Sequence, residues 1–101
     1  MSNETTSGHV HNLKLAPQYF DDVYEGKKTF ECRINDRNFE VGDELILYEF
    51  NPVTKCFLGR VFCVRVTYIL PGGQHGILSG YVVMSVTRIP GAEINMNRIN
   101  D

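Results

Sequence analysis

The feature that most limits how this chain can fold is the run Phe57 to Leu70, FLGRVFCVRVTYIL, which is β-rich and apolar on both parities except at Arg60 and Arg65. A strand with one solvated face alternates, so a strand apolar on both sides must be covered on both faces or curved into a barrel wall. Gly59 offers a place for a bulge within it. The shorter segments around it set the architecture. HVHNLKL alternates as a short strand, with His11, Leu13 and Leu15 on one side and Val10, Asn12 and Lys14 on the other.

A helix is expected directly afterwards. Pro17 suits a first helical position, Phe20, Val23 and Tyr24 share one face, and Gly26 can adopt the left-handed conformation that ends a helix. Asp21 and Asp22 lie toward its start and Lys27 and Lys28 just past its end, each the favourable sign for the helix dipole, while Ala16 is a poor N-cap. The period then changes to two: Phe30, Cys32 and Ile34 face one way and Thr29, Glu31 and Arg33 the other, which reads as a half-buried strand with a polar outer row. Asn35 to Asn38 makes a turn, with an Asx turn favoured over a cleft role for Arg37, and Val41-Gly42-Asp43 makes another. Strands at Leu45–Phe50 and Tyr81–Ile89 complete the set, the second preceded by the glycine-rich loop Pro71 to Gly76. Five strands and one early helix point to an α+β fold with a small barrel rather than a doubly wound parallel sheet. Residues 9–90 form the expected domain, between frayed tails at 1–8 and 91–101.

Composition narrows the function classes. At 101 residues with 43% hydrophobic and 22% charged, the chain can bury a core of its own, and a net charge of -2 excludes binding nucleic acid through bulk positive charge. That charge is unevenly spread. Residues 1–49 carry ten acids and five bases, whereas residues 50–92 carry four bases (Lys55, Arg60, Arg65, Arg88) and no acid, leaving room for local anion binding. No apolar run reaches the ~18 residues of a membrane span and the start is polar, so a cytoplasmic protein with no membrane partner is expected. Cys32, Cys56 and Cys63 form no CxxC pair and are read as reduced thiols.

The segment Gly26-Lys27-Lys28-Thr29-Phe30-Glu31-Cys32-Arg33 is the strongest chemical constellation: a helix end delivers two lysines, and one strand face presents Thr29, Glu31 and Arg33. The plain alternative is an exposed Glu31–Arg33 ion pair, which contributes little. Together with His11-Asn12-Leu13-Lys14, Pro17-Gln18-Tyr19-Phe20, Asn35 to Asp43, Val66 to Leu70, Gly72-Gly73 and Gly80 to Met84, this segment closely resembles the ASCH-like domains of the PUA-like superfamily, over about residues 9–89. The G-x-K-x-x-E-x-R and V-G-D elements in this order carry the likeness.

The resemblance implies a compact PUA-like β-barrel with a flanking helix and a cleft for RNA or a nucleotide-like ligand, lined by Lys28, Glu31 and Arg33, with Lys14 in the binding set and Gly72 and Gly73 near the rim. Glu31 would accept hydrogen bonds from exocyclic amino groups while Lys28 and Arg33 meet phosphate or carbonyl oxygens, and Tyr48 or Tyr81 would supply a stacking ring. One branch of the superfamily consists of small amidohydrolases that deacetylate a modified cytidine through a Lys, Thr and Glu set. Lys28 matches the lysine, Glu31 replaces the threonine, and residues 50–92 offer no acid for the later glutamate, so a small hydrolase is the second reading and binding the first. A protein–protein adaptor is a third.

No cofactor motif is present. Gly72-Gly73 lacks the Gly-Lys-Ser/Thr of a phosphate-cradling loop, and His9-Val10-His11 places two imidazoles on one side of a strand without a third ligand in sequence reach, so no metal is expected.

Overall fold

The computed structural model describes residues 8–91, so the tails read at 1–8 and 91–101 lie outside them except for Gly8 and Gly91. The described chain runs β1 (Val10–Leu15), α1 (Pro17–Tyr24), β2 (Phe30–Ile34), β3 (Glu44–Asn51), β4 (Cys56–Pro71) and β5 (Tyr81–Arg88). All five strands join one sheet in the order β1-β3-β4-β5-β2, with β1 parallel to β3 and the other pairs antiparallel.

The long apolar run is thus the middle strand, and its consecutive residues Val61, Phe62, Cys63 and Val64 are all buried. Its register against β3 shifts between Tyr48 and Phe50, where Leu58, Gly59 and Arg60 stand against Glu49 alone, and its register against β5 shifts again between Val66 and Tyr68. Extra residues on one strand bend it and increase its twist, so the sheet curls. It stays open, however: β1 and β2 are edge strands that do not pair with each other. The expected five-stranded barrel is therefore a half-barrel with a seam.

Helix α1 follows β1 after Ala16 alone, which makes no side-chain cap, and Gly26 ends it at φ 80°. Phe20 and Val23 enter the core, where Phe20 meets Phe62 edge to face with centroids 4.9 Å apart. Asp21 and Asp22 sit beyond the first turn, so the expected dipole pairing at the helix start is absent. Asp21 instead reaches across to β4, 2.8 Å from Arg60 Nη1. Arg60 also forks onto Glu49 of β3, with both bonds at 2.9 Å, and its guanidinium lies over the Phe20 ring.

The largest departure from expectation is in β2. The row that alternation marked as solvent-facing turns inward, for Glu31 is 2% exposed while Phe30 and Ile34 are 47% and 54% exposed. Polarity fails as a guide here because β2 is an edge strand, and its inward carboxylate is compensated by two cations described below.

Gly72 opens the connection from β4 to β5. A Cβ at this position would strike the carbonyl oxygens of Leu78 and, at 2.6 Å, Tyr81. Gly72→Ala is accordingly expected to cost roughly 1–3 kcal/mol through overpacking, read as a lower urea midpoint with an unchanged slope. A variant as stable as the parent would show that the loop relaxes freely. Among the described residues no helix is long and apolar enough to cross a membrane.

Candidate functional site

Both edge strands of an open half-barrel expose unpaired backbone, and here the two edges face one another across a cleft of about 700 Å³. Consecutive residues line it on each side, Leu13, Lys14 and Leu15 from β1 and Phe30 to Ile34 from β2, as expected when a cavity runs along strand edges rather than over one face. Two arginines span the seam. Arg33 Nη2 donates to the Lys14 carbonyl at 2.8 Å and Arg37 Nη1 to the Asn12 carbonyl at 2.7 Å. Those carbonyls, two residues apart, share the free edge of β1, so side-chain guanidinium groups take the place of a sixth strand.

Glu31 sits at the inner wall with its side chain 3% exposed. Arg33 Nε donates to Oε1 at 3.0 Å, and Lys28 Nζ approaches Oε2 at 3.4 Å while donating to the Phe30 carbonyl at 2.7 Å. A carboxylate at this depth needs such partners. In return it fixes two long cationic side chains in one place, which lowers the entropy a ligand would otherwise have to remove. The Lys28 ammonium lies 4.6 Å from the Phe30 ring centroid and 5.2 Å from that of Tyr19. Both rings are exposed and line the cleft.

Lys28, Glu31 and Arg33 are thus brought together in the cleft lining. Lys14 is not brought with them as a cation: its ammonium lies 4.4 Å from the Phe50 ring centroid, and it meets the cluster through its backbone carbonyl. Gly72 and Gly73 lie outside the lining, although their loop reaches the rim where Asn35 N–H donates to the Gly80 carbonyl. Tyr81 lines the cleft and Tyr48 does not. Asn35 Oδ1 accepts from the Phe39 amide, four residues on, rather than closing the expected Asx turn, and Arg37, set aside in favour of that turn, is a wall of the cleft.

Tyr19 and Phe30 escaped sequence reading for opposite reasons. Tyr19 is off the buried helix face, and Phe30 stands in the row assigned to the core. The acid-free stretch also resolves differently, because none of its four bases lines the cleft. Sheet pairing sets Arg65 opposite Glu44 and Arg60 beside Glu49, so acids of the first half take up these charges. The lining contains no Ser or Thr hydroxyl, and both Glu31 oxygens are engaged by cations.

Residues 10–86 match the family described as Domain of unknown function (DUF3850). The chain belongs to this family. The matched span contains every residue lining the cleft of this DUF3850 domain. A 58-residue stretch, 57% of the chain, is 50% identical to the "Uncharacterized 12.9 kDa protein in GpA 3'region" of Escherichia phage P2. The alignment covers 51% of that protein, so the chain spans about half its length.

Proposed function

We propose that the seam cleft binds a nucleotide, free or within an RNA strand, as implied by the likeness to ASCH-like domains of the PUA-like superfamily. The observation that carries this reading is the buried Glu31 holding Lys28 and Arg33 beside the exposed rings of Tyr19 and Phe30. Exposed aromatic rings offer stacking faces for a base, and fixed cations at their margin suit a phosphate or base carbonyl. The cleft volume falls within the roughly 300–1,000 Å³ of small-molecule sites. In this reading Glu31 acts as the anchor of the two cations, in place of the base-edge acceptor expected from sequence. Arg37 adds a third cation at the wall, 3.8 Å from Asp36.

The test is an NMR titration of the full chain with the four nucleoside monophosphates, their nucleosides and a short single-stranded RNA. Shifts are expected at Lys28 to Arg33 and at Tyr19, and saturating ligand that moves none of them would overturn the reading. Saturation by a monophosphate alone identifies a free-nucleotide site, while markedly tighter RNA binding identifies a strand. Salt supplies a further check. For two cations meeting single-stranded phosphate the logarithmic slope should be about -1.4, so affinity falls roughly sevenfold from 50 to 200 mM salt. Lys28→Ala should reduce that slope by about half, and nucleosides should show almost none.

A further inference from the structure

We propose that His9, Glu40 and Asp43 form a binding site for one divalent transition-metal ion of the zinc class. Asp43, in the turn before β3, is fully buried. Its Oδ2 accepts from the Glu40 amide at 2.9 Å and lies 2.8 Å from His11 Nε2. These two contacts fix the carboxylate as outer-shell partners fix a metal ligand, and Oδ1 stands 3.8 Å from His9 Nδ1. The His11 ring is itself held edge to face against Phe39, with centroids 4.9 Å apart.

One ligand atom each from His9, Glu40 and Asp43 lies within 4.8 Å of the others. A tetrahedral ion with bonds of ~2.0–2.2 Å holds its ligand atoms about 3.4 Å apart. Closing the gap takes up to about 1.4 Å of motion, and His9 and Glu40 are both exposed side chains able to make it. The segments that carry them are already joined, since Glu44 N–H donates to the His9 carbonyl at 2.9 Å. His11 and the Glu40 amide already compensate the buried Asp43 carboxylate, so its solvation does not require a second imidazole and a second carboxylate to converge on it.

The donor set decides the class of ion. One imidazole nitrogen with two carboxylate oxygens suits Zn²⁺, Co²⁺ or Ni²⁺ over Mg²⁺ or Ca²⁺, which favour all-oxygen shells. Three protein donors leave a tetrahedral ion one exchangeable position. Of the His9-Val10-His11 pair only His9 is thus a ligand, joined by Glu40 and Asp43 from the turn before β3, while His11 holds the Asp43 carboxylate.

The experiment is calorimetric titration of Zn²⁺ into the full chain, with Co²⁺ absorption as a reporter of tetrahedral geometry. One saturable site is expected, weakened at least tenfold in both His9→Ala and Glu40→Gln and unchanged in His75→Ala and Cys56→Ser. Melting of the metal-free variants verifies that they fold, and nucleotide binding in the cleft should be unaffected, which separates this proposal from the previous one. Absence of saturable binding by the parent chain would overturn it. So would parent-like binding in His9→Ala or Glu40→Gln, or loss in either control variant.

Discussion

Arg33→Ala is expected to weaken nucleotide binding in the cleft by roughly 10- to 100-fold and to lower folding stability by about 2–3 kcal/mol. Two losses combine in the second figure. The buried Glu31 carboxylate would keep only Lys28, at 3.4 Å, as its cationic partner, and the Lys14 carbonyl on the free edge of β1 would lose its donor. Arg33 is itself partly solvated, with its side chain 21% exposed, which holds the cost below that of a fully enclosed ion pair. For a domain of this size the change corresponds to a drop of at least about 8 °C in melting temperature. Arg33→Lys separates charge from geometry: an ammonium can meet Glu31 but lacks the planar fork that reaches Glu31 and the Lys14 carbonyl together. It should recover part of the stability and less of the binding. If Arg33→Ala binds nucleotides and unfolds like the parent, the seam cluster has neither role.

Arg60→Ala is expected to cost about 3 kcal/mol with no direct effect on the cleft. Arg60 ties three elements together, forking onto Glu49 of β3 from β4 and reaching Asp21 of α1. Hydrogen bonding to Glu49 raises the guanidinium pKa further above its ordinary value, against a smaller opposing effect of burial. The raised folded-state pKa means this contribution is present below the ordinary arginine value for as long as Glu49 and Asp21 stay ionised, and is lost only as pH rises through the folded-state value. Removing the arginine strands Glu49, whose side chain is 6% exposed. The double variant Arg60→Met with Glu49→Leu should regain most of the loss, because a well-packed apolar pair avoids burying an unpaired charge. Urea denaturation of the single and double variants measures this. A double variant less stable than Arg60→Ala would show that Arg60 acts through Asp21 and the Phe20 ring instead of through Glu49.

Local pattern carried the secondary structure because each element is governed by neighbouring residues. Pro17 and Gly26 bracket the helix, and alternation marks the short strands. It failed on the facing of β2, where Glu31 is buried while Phe30 and Ile34 are exposed, since the two cations that hold Glu31, Lys28 past the helix end and Arg33 on β2, are set in place by the seam, where Arg33 also bonds the Lys14 carbonyl of β1. Segment charge failed for the same reason. Arg60 and Arg65 of residues 50–92 are not a free patch, because β4 lies against the glutamates of β3. Tyr19 and Arg37 could not be read as cleft walls without knowing that β1 and β2 would end up as facing edges.

Sequence alone determined that the chain would make about five strands and one early helix around a long central strand, and that Lys28, Glu31 and Arg33 would sit close together. Those outcomes follow from hydrophobic period, turn residues and short chain separation. Only the tertiary structure decided that the barrel would stay open, that Glu31 would face inward with a cation at each oxygen, and that Asp43 would meet two histidines more than thirty residues away. Such features depend on which strands become neighbours and which are left as edges. That choice is made by packing over the whole sheet, which no local spacing encodes.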